Sequence, residues 1–131
     1  MPATLTLYDE TTLGEKRAAL TLSFDTTRIS VRDLIRDRVY NEVWDYNQNK
    51  TGIFRGLVQP TDSERQLNGF KLKQPRQINW EEQYQKALAA FENNSFVILV
   101  GDRQVDDLDT EIEISDQTQV SFLKLIPLVG G

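Results

Sequence analysis

The end of the chain carries the tightest constraint. Gln119-Val120-Ser121-Phe122-Leu123-Lys124-Leu125-Ile126 is rich in β-branched and aromatic residues and reads as a strand. Pro127 removes a backbone donor and stops the pairing. A short apolar lead, Leu128-Val129, then runs into Gly130-Gly131. Chain ends usually fray, and few pass from a strand straight into two glycines. Residues without Cβ let the backbone enter a slot too narrow for any side chain. Residues 127–131 therefore read as an extended tail that presents the Gly131 carboxylate to another protein's active site; the plainer alternative is a loose end.

Thr4-Leu5-Thr6-Leu7-Tyr8 alternates with period two, as a half-buried strand does. Turn residues fill Asp9–Lys16, with Gly14 among them, and Ala18, Leu20, Leu22 and Phe24 then share one face of a second strand. The pair reads as a β-hairpin with a long loop. Ser30 caps a helix, and Asp33 three residues on is close to a capping box. Val31, Leu34, Ile35, Val39 and Val43 form its apolar face, with Arg32, Arg36, Asp37 and Glu42 mostly off it. Tyr40 and Trp44 fall on another side and are expected to pack under the following segment.

From Asn47 to Asn79 periodicity is lost. The stretch contains Gly52, Gly56, Pro60, Gly69 and Pro75, together with apolar anchors from Ile53 to Leu72 that full disorder would not need. It reads as an irregular but packed excursion, with a short hairpin at Gly69-Phe70-Lys71-Leu72. Asn79 caps a second helix, with Glu82 three residues later; Trp80, Tyr84, Ala87, Leu88 and Phe91 form its core stripe, and Asn93-Asn94 end it. Ser95–Val100 is apolar on both faces, Gly101-Asp102 turns the chain, and Arg103-Gln104-Val105 makes a short return. Asp106, Asp107, Asp109, Glu111 and Glu113 then alternate with Leu108, Ile112 and Ile114; without calcium-loop spacing or a turn glycine they read as a solvated acidic edge. The order of elements gives an α+β chain, with the first and last strands parallel at the centre of one mixed sheet and the first helix packed across it.

Composition narrows the chemistry. With no cysteine there is no disulfide and no thiolate, which fits a reducing, cytoplasmic setting; with no histidine the usual general base and metal ligand are missing. No catalytic residue, metal site or cofactor is expected, and the chain is not expected to be an enzyme. No apolar run is long enough to span a membrane, and no secretory signal is visible. A net charge of −5 argues against a nucleic-acid partner, but the charge is uneven. Between Asn47 and Asn79 six basic residues face two acids, a local +4 that leaves −9 for the rest.

Taken together, three stretches resemble ubiquitin-like β-grasp proteins: the loop Thr11-Thr12-Leu13-Gly14-Glu15-Lys16, the strand and turn Ile98-Leu99-Val100-Gly101 with Arg103–Asp107 after it, and the end Ile126-Pro127-Leu128-Val129-Gly130-Gly131. The last is similar to bacterial ubiquitin-like modifiers and to sulfur carriers such as the small subunit of molybdopterin synthase. The likeness covers residues 3–46 and 95–131. It implies one β-grasp domain over 1–131, a mixed sheet packed on a helix, with residues 47–94 (a basic loop plus the second helix) inserted between the first helix and the third strand.

What the resemblance implies for function lies mostly with partners. An ATP-dependent activating enzyme would adenylate Gly131, with Gly130 beside it and Pro127, Leu128 and Val129 as tail contacts. A conjugating enzyme would pass the acyl group to amines of target proteins, and a protease would reverse the bond. The alternatives are a carrier that ends as a thiocarboxylate and a non-covalent β-grasp adaptor. Leu13 and Ile98 match ubiquitin's partner-binding patch. Counting strictly from the chain end would add Leu125 but turn Lys124 into the core, at a desolvation cost. A one-residue offset puts Leu123 and Leu125 inside and Lys124 and Ile126 outside, giving a patch of Leu13, Ile98, Lys124 and Ile126; the alternative is that the inserted helix covers Ile98. Arg55, Lys71 and Lys73 are expected to form a partner-docking loop.

Overall fold

A computed structural model of the chain describes residues 3–49, 53–66, 69–74, 76–115 and 117–125. In chain order the elements are β1 (Ala3–Thr11), β2 (Lys16–Phe24), β3 (Arg28–Ser30), α1 (Val31–Asn49), β4 (Ile53–Phe54), β5 (Ser63–Gln66), β6 (Gly69–Leu72), α2 (Trp80–Glu92), β7 (Phe96–Val100), β8 (Arg103–Val105), β9 (Glu111–Glu113) and β10 (Val120–Lys124). They fall into two compact units, residues 1–34 with 90–131 and residues 35–89.

The first unit carries a mixed five-stranded sheet in the order β2-β1-β10-β7-β8. β1 and β10 run parallel, Leu7 beside Val120, as expected; the other neighbours are antiparallel. Side chains alternate between the faces of a strand. Leu5, Leu7, Leu22, Phe24, Phe96, Ile98, Val120 and Phe122 occupy one face and are all buried. The pairing shifts between Leu7 and Tyr8, so Ala18 lies opposite Tyr8 and leaves the face of Leu20, Leu22 and Phe24. This bulge corrects the expected alternation of β2.

The start of α1 is satisfied from outside the helix. Val31 N–H donates to Thr110 O and Arg32 N–H to Leu108 O, both at 2.9 Å, while Asp33 N–H donates to Ser30 Oγ at 3.1 Å. Three of the amides that a helix start leaves bare thus find acceptors. The acidic run supplies two of them: beyond that loop, β9 pairs with β3, Ile29 beside Ile112, both buried, with Glu111 and Glu113 exposed. At its other end α2 closes with Asn94 at φ +59°, Ser95 N–H donating to Ala90 O and Asn94 N–H to Phe91 O, a left-handed helix stop.

The second unit is where periodicity was lost, and its excursion contains a small sheet, β4-β6-β5. Gly69–Leu72, expected to form a short hairpin by itself, is instead one strand, the central member of that sheet. Gly69 has φ +147°, and a Cβ there would stand 2.6 Å from Phe54 O, so β6 approaches β4 as only a glycine allows. Arg38 is 1% exposed; its Nε donates to Glu42 Oε2 at 3.2 Å, and Glu42 Oε1 accepts Leu57 N–H at 3.1 Å. Asn47 clasps Ile78 through both backbone groups, at 3.0 and 2.9 Å. Buried Gln83 donates to Val58 O at 3.0 Å. Glu42, expected mostly off the buried face, lies on it because Arg38 one turn back needs its carboxylate.

Candidate functional site

β10 occupies the middle of the five-stranded sheet and runs toward the expected tail. Its last described hydrogen bond is Leu125 N–H to Ser95 O, at 3.1 Å. Ile126, Pro127, Leu128, Val129, Gly130 and Gly131 lie outside the described residues, so the tail and one member of the expected patch have no geometry to report.

The remaining patch residues are not brought together. Leu13 stands 78% exposed at the tip of the β1–β2 loop, where Thr11 Oγ1 accepts the Leu13 and Glu15 amides. Ile98 is 0% exposed; it faces Phe122 across the ladder and belongs to the core side of the sheet. Lys124 lies opposite Phe96, on that same side, at the end of the ladder. The one-residue offset is therefore wrong: Val120 and Phe122 point inward, and Leu123 is half-buried on the opposite face with Val97 and Leu99. The offset rested on the cost of an inward lysine, and that cost is not incurred: at the end of the ladder the Lys124 side chain stays 40% exposed, with Nζ 3.8 Å from Asp9 Oδ2.

Arg55, Lys71 and Lys73 are all exposed on the second unit. Lys71 sits at the centre of the small sheet between Ile53 and Glu64, and Lys73 N–H anchors to Asp62 O at 2.9 Å. A further basic group works locally: Lys86 Nζ donates to Thr61 Oγ1 at 2.7 Å, and Thr61 in turn donates to Glu82 at 3.1 Å.

Tyr40 and Trp44 depart from expectation. They remain 46% and 55% exposed. Tyr40 meets the Trp80 ring edge-on at 5.4 Å, and Tyr84 lies 6.1 Å from Trp80. The sequence signal for this was present in the (i, i+4) spacing of Tyr40–Trp44 on one helix and Trp80–Tyr84 on the other, which stacks each pair on one side.

In the first unit an open cleft of about 500 Å³ is lined by Arg32, Phe91, Asn94 and the acidic run Asp106–Asp109. Its Arg32 pairs with Asp109 at 3.3 Å, and no group of acids among the described residues is arranged to hold a metal ion. No helix among the described residues is long and apolar enough to cross a membrane. Comparison of the chain with protein-family models, curated proteins and solved structures finds no match.

Proposed function

We propose that the chain is a ubiquitin-like modifier of β-grasp type, a substrate of other enzymes and not a catalyst. An ATP-dependent activating enzyme adenylates the Gly131 carboxylate, and a conjugating enzyme transfers the acyl group to a target amine. The carboxylate oxygen attacks the α-phosphorus of ATP and pyrophosphate leaves; the amine then displaces AMP, directly or by way of an enzyme thioester, to form an isopeptide bond.

The observation that carries this reading is the strand order β2-β1-β10-β7-β8 with a parallel central pair. It joins the hairpin at the start of the chain to the strand at its end, and so anchors the lead to residues 126–131 in the middle of the sheet. Such an anchor suits a tail that enters a narrow site while the body docks outside. Arg55, Lys71 and Lys73, exposed on the second unit, suit docking to an acidic surface of the activating enzyme.

The test is ATP–pyrophosphate exchange with an activating enzyme encoded beside this gene, on the full chain and on one lacking Gly130-Gly131. Exchange only with the full chain is expected, and lysates should yield lysine peptides linked to Gly131. A C-terminal thiocarboxylate without such peptides would replace conjugation by sulfur transfer. Exchange that persists in the shortened chain would overturn both. Reversing the charge of Arg55, Lys71 and Lys73 should slow activation, most at low salt; rates unchanged across salt concentrations would remove their docking role.

A further inference from the structure

We propose that two copies of this chain pair edge to edge through β2, antiparallel, in an interface independent of the tail. The two edges of the five-stranded sheet differ. β8 is three residues long, shows Arg103 and Gln104 to solvent and runs into Asp106-Asp107. Shortness and charge are common guards of a sheet edge. β2 is nine residues long and pairs only with β1. Its first half is guarded, by Lys16, Arg17 and the bulge at Ala19. Residues 20–24 carry neither charge nor proline, and Thr21 and Ser23 are exposed. Among the described residues, their backbone finds no hydrogen-bond partner beyond β1. A row of outward N–H and C=O groups of this kind is a template for another strand.

Charge and register name the occupant. Arg17, and Asp25 just past the end of β2, are exposed and have no ion-pair partner among the described residues. The other charges near the two ends are placed otherwise. Lys16 lies opposite Glu10 and over the Tyr8 ring at 4.9 Å, Asp9 pairs with Lys124, Arg28 lies opposite Glu113, and Glu15 stands in the loop before the strand. A two-fold axis at Thr21 sets Leu20 beside Leu22 of the second copy. It also brings each Arg17 to the end of the interface that holds the other copy's Asp25. A parallel pairing would instead set Arg17 beside Arg17. Leu20 and Leu22 of both copies stay on the core side of the joined sheet, with Thr21 on the other. So short a stretch of edge buries little surface, so the pair is weak and reversible.

The test is sedimentation equilibrium of the full chain from micromolar to near-millimolar concentration. A reversible monomer–dimer equilibrium is expected. A monomer at every concentration overturns the proposal and leaves the edge to a strand of a different protein. Thr21→Lys and Thr21→Glu should each abolish the dimer, through like charges at the two-fold axis, and an equimolar mixture of the two should restore it. Loss without restoration, or no loss in either variant, overturns the pairing. Arg17→Asp should weaken the dimer about ten-fold, and adding Asp25→Arg should recover most of that; no recovery overturns the antiparallel register. Hydrogen exchange at rising concentration should slow at amides within residues 20–24 and not at β8. Slowing at β8 alone would place the contact on the other edge and overturn the assignment to β2.

Discussion

Two regions of this molecule solve the same problem by different means. On the five-stranded sheet, Leu5, Leu7, Leu22, Phe24, Phe96, Ile98, Val120 and Phe122 share one buried face, and backbone ladders satisfy the strands. In residues 35–89 strands are short, and loops 57–59 and 78 have no ladder of their own. Polar side chains from the two helices take over: Glu42 holds Leu57, Gln83 holds Val58 and Asn47 holds Ile78. The lesson is that a backbone without regular partners is bound by side-chain donors and acceptors on neighbouring regular elements, since a buried polar group must be paired.

The contrast breaks most visibly at Glu42. Glu42→Leu leaves Arg38 buried without its carboxylate and Leu57 N–H without its acceptor. We expect a loss of about 3–5 kcal/mol, read by urea unfolding. The double variant Arg38→Met, Glu42→Leu should recover much of it, because an apolar pair removes the uncompensated charge. Recovery should stop short of the parent by about 1–3 kcal/mol, the cost of the orphaned Leu57 amide. Full recovery would mean that Glu42 serves only Arg38 and does not hold the loop. On the sheet, Phe122→Ala should cost a similar amount, about 3–5 kcal/mol, through a cavity alone. No second substitution at a polar site should rescue it.

Asn47→Ala is the next effect down. It removes a donor and an acceptor from one residue, Ile78, and should cost about 1–3 kcal/mol. Hydrogen exchange gives the sharper reading: the Ile78 amide should lose protection while Val120 and Phe122 keep theirs. Equal loss at both would show that the two units open together. Below it stands Ser30→Ala, which removes the acceptor of Asp33 N–H and should cost about 0.5–2 kcal/mol in thermal or urea unfolding. Val31 and Arg32 keep their acceptors from the acidic loop, so the helix start should persist in exchange.

The same contrast explains what the sequence made legible. Caps and turns were readable one residue at a time: Ser30, Asn79 and Gly101 act locally, and Asn79 Oδ1 does accept Glu82 N–H, whereas alternation was misread at the β2 bulge and along β10. The parallel β1–β10 pair followed from element order and apolar content. The buried roles of Arg38, Glu42, Asn47 and Gln83 depend on partners distant in sequence, which periodicity does not encode. A trace existed on α1, where Arg38 and Glu42 form an opposite-charge (i, i+4) pair among the buried positions Ile35, Val39, Val43 and Tyr46. Such a pair on a buried face signals an internal ion pair. Of the proposed tail, only the approach along β10 lies among the described residues.

The smallest expected effect tests the register of β10. Lys124 shares the core side of the sheet with Phe96 and Phe122, yet its side chain remains 40% exposed, and its partner Asp9 lies 3.8 Å away. A lysine at the end of a ladder keeps its stem on apolar surface and its ammonium in water. An ion pair so placed contributes about 0–1 kcal/mol. Lys124→Met should therefore change stability by no more than that, and Asp9→Asn likewise, with a small coupling in the double variant. A loss at Lys124 as large as that at Asn47 would mean that the ammonium is held in a dry site, and that the end of β10 is bound by the polar side-chain logic of residues 35–89. A negligible loss, together with a large one at Phe122, fixes the alternation: Phe122 inward, Leu123 outward, and Lys124 inward only as far as its stem.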